Sequence, residues 1–287
     1  MKKILITGAN GQLGNEMRVL SAQYPQYEYI FTDVAELDIC NKAAVLDFIS
    51  AATPDFIVNC AAYTAVTKAE EETAPNYAIN RDAIRNLGEA AVKTGAQLIH
   101  ISTDYVFDGK GYLPYTEDMP VNPESAYGKA KAEGEKALMS VCKESIILRT
   151  SWLYSSFGNN FVKTMLKLGR EKEKLTVIFD QIGTPTYAAD LASAIMQIIN
   201  SGKFESGIYH FSDEGVCSWY DFAKAIHKLS GITSSKVLPL ETKDYPDKTP
   251  RPFYSVLNKA KIKTVYELDI PHWEESLERC LAILEHK

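Results

Sequence analysis

Residues 3–14 read K-I-L-I-T-G-A-N-G-Q-L-G, and the plan of the chain follows from that stretch. The apolar run Ile4-Leu5-Ile6 lies between Lys3 and Thr7, the pattern of a strand buried on both faces. Gly8, Gly11 and Gly14 follow, and an amphipathic helix begins, with Leu13, Met17 and Leu20 on one face and Glu16 and Arg18 on another. Strand, glycine turn and helix together form a cradle for a dinucleotide pyrophosphate. The turn lets the backbone approach the phosphates, and the helix N-terminus offers free N–H groups and a positive dipole end. The spacing is G-x-x-G-x-x-G, not the dehydrogenase G-x-G-x-x-G, so context has to carry the reading. A strand precedes the turn and a helix follows it. Asp33 closes a second apolar run, Tyr29-Ile30-Phe31, 19 residues beyond Gly14, where a ribose-binding acid is expected.

The chain has 287 residues, of which 46% are hydrophobic, enough for a sizeable core. Its net charge is −6 with no long basic run, which argues against a nucleic-acid partner. Five scattered cysteines (Cys40, Cys60, Cys142, Cys217, Cys280) form no C-x-x-C pair and read as reduced thiols of a cytoplasmic protein. No signal-type segment precedes the first strand, and no apolar run approaches the ~20 residues of a membrane span. The histidines (His100, His210, His227, His272, His286) show no ligand spacing, so no catalytic metal is expected.

Strands and helices alternate through residues 1–150. Glu28–Asp33, Asp55–Asn59, Gln97–Ser102 and Ser145–Arg149 read as strands. Helices are expected from the cap at Asn41 to about Ser50, from about Asn76 to Thr94 with Gly95 as C-cap, and over 125–141. Such alternation implies a doubly wound parallel α/β sheet of Rossmann type, with ligands bound beyond the carboxyl ends of its strands. Two of those ends carry chemistry: Ala61-Ala62-Tyr63-Thr64 after the third strand, and Ser102-Thr103-Asp104-Tyr105 after the fourth. The segment 108–124, rich in Gly, Pro and acids, reads as a long loop of the kind that serves as a lid.

Tyr127 and Lys131 stand at i and i+4 on the helix that follows, so they share a face, while Lys129 points elsewhere. A lysine ammonium beside a phenol is expected to lower the phenol's pKa and make it a proton donor or acceptor near neutral pH. The chain repeats the spacing at Tyr220 and Lys224, within W-Y-D-F-A-K-A-I-H, whose aromatics read as core. Position selects Tyr127, one loop beyond the hydroxyl-bearing strand. After Arg149 the pattern loosens. Residues 151–287 read as a smaller, irregular α+β part that binds substrate, with some segments returning to the sheet. It contains helices at about 160–170, 188–200, 218–230 and 272–284, and strands at Thr176–Phe179 and Gly207–Phe211.

Taken together, T-G-A-N-G-Q-L-G, S-T-D-Y-V-F (102–107) and Y-G-K-A-K (127–131) resemble the extended short-chain dehydrogenase/reductase family. The likeness is closer to its branch that reduces dTDP-4-dehydro-L-rhamnose at C4 to dTDP-L-rhamnose. Segments 59–66, R-T-S-W-L-Y (149–154), G-N-N-F (158–161), D-Q-I-G-T-P-T (180–186) and Arg251-Pro252 extend it over almost the whole chain. The resemblance implies that Gly8, Gly11, Gln12, Leu13 and Gly14 lie along the cofactor pyrophosphate. It implies that Asp33 meets the adenosine ribose and that Asp38 and Ile39 flank the adenine. Ala62, Tyr63, Thr64 and Ser102 fall in the nicotinamide half. Thr103 is implied to hold the sugar carbonyl, Tyr127 to donate the proton, and Lys131 to bind the nicotinamide ribose and tune Tyr127. Asp104, Trp152, Asn159, Asn160 and Arg251 are implied to contact the sugar nucleotide. The cofactor is NADH or NADPH, with NADH preferred because Asp33 and Glu36 would repel a 2′-phosphate. Some members hold magnesium with glutamates at a dimer contact. Glu16 matches one such position but Ala189 stands where another acid is expected, so no metal and at most a weak homodimer are expected.

Two alternatives stand beside this reading. One is a reductase or epimerase of another nucleotide sugar; an epimerase would place a second base near the sugar, and no such residue is evident. The other is a non-catalytic nucleotide-binding regulatory subunit on the same fold, which predicts a damaged tyrosine–lysine pair. Here Thr103, Tyr127 and Lys131 are all present.

Overall fold

The computed structural model of the chain describes residues 1–285; His286 lies outside the described residues. Six strands form the central sheet: β1 (Lys2–Thr7), β2 (Tyr27–Thr32), β3 (Phe56–Asn59), β4 (Gln97–Thr103), β5 (Ile146–Thr150) and β6 (Gly207–His210). Their order is β2-β1-β3-β4-β5-β6 and every pairing is parallel. The chain steps one way from β1 to β2 and the other way to β3, so a crevice opens at the carboxyl end of β1.

Side chains alternate across the sheet, as period-2 geometry requires. Ile4 and Ile6 face one layer, where α1 (Gln12–Leu20) packs with α6 (Ala188–Asn200). Leu5, Ile57 and Ile147 face the other, against α2 (Lys42–Ala52), α3 (Ala83–Thr94) and α4 (Ala126–Val141). Asn41 caps α2 through Ala44 N–H, and Gly95 closes α3 in the left-handed region at φ 76°. The expected Asn76–Thr94 helix starts at Thr73 and carries a π-turn at Ala78–Asp82. The helices meet closely there: a Cβ on Gly134 of α4 would lie 2.0 Å from the Asn80 carbonyl oxygen.

A third apolar cluster, with Tyr154, Phe222 and Trp273 at its centre, holds α5 (Phe161–Glu171), α7 (Trp219–Leu229) and α8 (Trp273–Glu285). The Gly207–Phe211 segment does not stay in that part. Its strand, β6, pairs with β5 at the edge of the main sheet. The 108–124 loop contributes no residue to the lining of the crevice. Phe107 stacks on Tyr115 at 4.2 Å, and Tyr115 N–H donates to the Val256 carbonyl, so apolar burial anchors the loop against 254–257. No helix of the described residues is long and apolar enough to cross a membrane.

Candidate active site

A cavity of about 870 Å³ runs along the carboxyl ends of β1–β5 into the C-terminal part. Its floor begins at Gly8, whose φ of 66° and contact with the segment just after β3 both require glycine: a Cβ there would lie 2.6 Å from Ala61 N. Gly14 does not line the cavity. Its role is packing, since a Cβ would lie 2.4 Å from the Gly8 carbonyl oxygen. Gly11 opens α1 with no side-chain cap, so the first-turn N–H groups are free to meet an anion. Gly11, Gln12 and Leu13 line the cavity beside them. These features fit a dinucleotide pyrophosphate.

At one end stand Asp33, Asp38 and Ile39. Asp33 accepts from Asn10 N–H at 2.9 Å and Val34 N–H at 2.8 Å, while Glu36 accepts from Asp33 N–H. Asp38 accepts from Cys40 N–H. Lys42 is turned onto Glu89 at 2.5 Å. Ala62 and Thr64 line the middle, but Tyr63 does not. Its phenol donates to Glu72, and its backbone N–H and C=O are both held by the Asn80 amide of the π-turn, at 3.1 and 2.9 Å.

The end of the cavity that holds Thr103, Tyr127 and Lys131 combines β4 and α4. Ser125 caps α4 by accepting from Gly128 N–H, which places Tyr127 and Lys131 in the first turns over the end of β4. Thr103 Oγ donates to Asp104 Oδ1 at 2.9 Å and stands within hydrogen-bonding reach of the Tyr127 phenol. Burial pushes the Asp104 carboxyl up to about 6, against hydrogen bonds from Ser255 and Thr103 that lower it. Burial also raises the Tyr127 phenol, with Thr103 opposing and Asp104 and Tyr105 adding to the rise. The expectation of a lowered phenol is therefore corrected. Lys131 Nζ donates to the Ile101 carbonyl at 2.6 Å and is not among the groups that shift the phenol, for which desolvation of the buried ring is the largest cause. Burial lowers Lys131 itself to about 8. The Ser102 hydroxyl is committed to Glu135, which forms a buried two-point pair with Arg149 at 2.9 and 2.7 Å.

The C-terminal part supplies the far wall. Trp152 sits at φ 48° and stacks on Trp219 with centroids 3.6 Å apart; Gly183 lies so close that a Cβ would meet the indole at 2.6 Å. Asn159 lines the cavity as an exposed side chain. Asn160 is mostly occupied elsewhere: its oxygen caps α5 at Lys163 N–H and its nitrogen donates to Gln12 Oε1 at 2.9 Å. Arg251 donates to Tyr105 at 3.3 Å, Thr67 at 3.2 Å and Asp247 at 3.0 Å. Tyr220 is absent from the cavity lining and packs against the third cluster.

The sequence reading missed Trp219 and Asn80, and it placed Tyr105 at a strand end that carries chemistry without giving it a role. Asn80 had a signal, a polar residue on the buried side of a helix; Trp219 had none beyond its place after the Ser218 cap. Glu16 is buried and accepts from Ser155 at 2.5 Å.

Residues 1–286 match the family model described as RmlD substrate binding domain. A dTDP-4-dehydrorhamnose reductase of Aggregatibacter actinomycetemcomitans is 42% identical, over 99% of this chain and 100% of that protein. Crystal structures of dTDP-4-dehydrorhamnose reductases are similar as well. That of Clostridium acetobutylicum is 45% identical with a TM-score of 0.94, over 99% of both chains. That of Bacillus anthracis, in complex with NADP, is 40% identical with a TM-score of 0.94, over 99% of this chain and 100% of that one. The chain belongs to the family of the RmlD substrate binding domain, and dTDP-4-dehydrorhamnose reductases are among its similar relatives.

Proposed function

We propose that this chain is an NAD(P)H-dependent reductase that converts dTDP-4-dehydro-L-rhamnose to dTDP-L-rhamnose at C4. The observation that carries the reading is the convergence of Thr103, Tyr127 and Lys131 at the crevice whose other end is the uncapped α1 N-terminus. When bound, the nicotinamide supplies the hydride.

The chain's own residues do the rest. Gly11, Gln12 and Leu13 hold the pyrophosphate, and Asp33 holds the adenosine ribose. Lys131, an ammonium below about pH 8, holds the nicotinamide ribose. Tyr127 keeps its proton at neutral pH because burial raises its phenol, and protonated is the state a donor to the C4 oxygen needs. Thr103 turns its hydroxyl from Asp104 to that oxygen as negative charge gathers there. The Trp152–Trp219 stack forms the wall against which the sugar packs. Arg251 meets the diphosphate, because a planar guanidinium suits two-point phosphate contact. NADH is the better cofactor, since Asp33 and Glu36 would face the 2′-phosphate of NADPH and Lys131 and Arg251, the basic residues lining the cavity, stand elsewhere.

The test is oxidation of NADH and NADPH against a panel of 4-keto sugar nucleotides. Turnover is expected with dTDP-4-dehydro-L-rhamnose. No turnover with that compound, together with turnover of another member of the panel, would reject the reading.

A further inference from the structure

Beneath Lys131 lies a buried row of polar side chains that the mechanism above does not use. Thr7, Asn59 and His100 are register partners across β1, β3 and β4, and all are almost fully buried. Asn59 Oδ1 accepts from Thr7 Oγ at 2.6 Å and from Ala61 N–H at 3.2 Å. The Ala61 N–H can only donate, so it fixes which end of the amide is the oxygen. Asn59 Nδ2 must then face His100 Nδ1, 2.9 Å away. An amide nitrogen only donates, so Nδ1 is the acceptor and the ring proton of a neutral His100 sits on Nε2. Nε2 lies 3.4 Å from Lys131 Nζ.

We propose that His100 is a positioning residue for Lys131: held as a neutral ring with its proton on Nε2, it turns an N–H toward the lysine nitrogen and favours the amine over the ammonium. An amine has a lone pair to accept that N–H, and an ammonium has none. The inference rests on the reading of Lys131 as part of the cofactor and proton-transfer site. Burial and the nearby lysine charge press His100 well below its ordinary value, which keeps the ring neutral. Burial brings Lys131 down to about 8, against Glu135 one turn along α4, which raises it. That carboxylate is shared with Arg149 of β5 and Ser102 of β4. The row is not a proton path to solvent. Beyond His100 it passes to an amide, which does not relay protons, and to the buried Thr7.

Two measurements on the full chain need no turnover. With ¹⁵N-labelled histidine, His100 is expected to show a protonated Nε2 and a bare Nδ1; a proton on Nδ1 overturns the proposal. With ¹³C-labelled lysine, the titration of Lys131 can be followed at Cε in wild type and in Asn59→Asp. The aspartate keeps the shape and still accepts from Thr7 and Ala61, but it also accepts from His100. The ring proton then moves to Nδ1, and Nε2 becomes an acceptor for the ammonium. The Lys131 midpoint is expected to rise by roughly one pH unit or more, because the new acceptor and the added negative charge act in the same direction, and the ¹⁵N tautomer read in the same variant separates the two. His100→Phe, which removes the N–H without adding an acceptor, is expected to raise it by less. In the pH profile of kcat/KM the alkaline limb, near pH 8 in wild type, is expected to move with the titration. A Lys131 midpoint unchanged in both variants overturns the proposal whatever the activity. A shifted midpoint in a chain that reduces no sugar nucleotide supports it and removes the functional reading instead.

Discussion

Replacing Asp33 with asparagine is expected to abolish the preference for NADH proposed above. In the free chain the two carboxylate oxygens accept from two different donors, Asn10 N–H at 2.9 Å and Val34 N–H at 2.8 Å. Asparagine keeps one acceptor and sets an amide N–H against the other donor. The loop therefore loses about one hydrogen bond, roughly 0.5–1.5 kcal/mol. That loss is common to both cofactors and cancels in the ratio of their kcat/KM values, which makes the ratio the quantity to measure. Two terms survive in the ratio. NADH loses a charge-assisted hydrogen bond to its ribose, about 1.5–3 kcal/mol, and NADPH is relieved of a like charge beside its 2′-phosphate. The wild-type ratio is expected on the order of ten- to a hundredfold for NADH, falling toward unity in Asp33→Asn. Solvent reaches this end of the cavity, so added salt is expected to narrow the wild-type ratio. Lys42 is held by Glu89, and Lys42→Ala is expected to leave NADPH use unchanged. A similar reductase was crystallised with NADP, so the proposed preference rests on these local residues alone. Steady-state rates with both cofactors decide it. Equal wild-type values or a preference for NADPH refute the argument, and a preference that persists in Asp33→Asn places its origin in another residue.

Tyr127→Phe is expected to lower kcat by ~10²–10⁴-fold with little change in NADH affinity, while Tyr220→Phe, outside the cavity, stays within a few-fold; exchanged behaviour would show the wrong pair was chosen. Arg251→Lys is expected to raise KM for the sugar nucleotide and leave the Kd of NADH alone, because one ammonium cannot hold Tyr105, Thr67 and Asp247 together and present two donors to a diphosphate; an unchanged KM removes Arg251 from the site. Glu135→Gln leaves Arg149, 2% exposed, without its counter-charge; a loss of about 3–5 kcal/mol is expected in denaturant unfolding, and a loss under 1 kcal/mol would refute the weight given to that pair.

The core of the fold was legible because burial leaves a periodic trace. Ile4-Leu5-Ile6 is apolar at every position, and both faces of β1 are covered, Ile4 and Ile6 by one layer and Leu5 by the other. Tyr127 was separable from Tyr220 because motif order along the chain mirrors strand order at the crevice. What failed to show was what a side chain does with its second partner. Tyr63 has the right neighbours in sequence, yet Asn80 holds its backbone and Glu72 takes its phenol. Trp219 opens an amphipathic helix like any core aromatic. Its stacking on Trp152 depends on a left-handed backbone at Trp152 and on the bare Gly183 beside it, and no local pattern encodes contacts among three such distant positions. The phenol pKa failed for a related reason. Spacing places Lys131 one turn from Tyr127, but it does not say that the Ile101 carbonyl takes the ammonium and that burial outweighs what charge remains.

Those second partners also explain why the substrate part cannot be treated as a separate attachment. Asn160 begins α5 by capping it, and the same amide holds Gln12 at the start of α1, so one residue ties the C-terminal wall of the cavity to the glycine turn after β1. Ser155 reaches Glu16 one turn further along α1. At the opposite side Arg251 joins Tyr105, after β4, to Thr67, after β3. Each link crosses more than 100 residues of sequence, and all but the exposed one to Thr67 are made by groups at least partly buried, where a hydrogen bond left unmade costs more than one at the surface. The cavity is therefore set by contacts that neither half can satisfy alone. The distance from the α1 N-terminus to the Trp152–Trp219 stack is therefore a property of residues 1–150 and 151–287 together, and in the function proposed above it sets how far the sugar carbonyl stands from the nicotinamide.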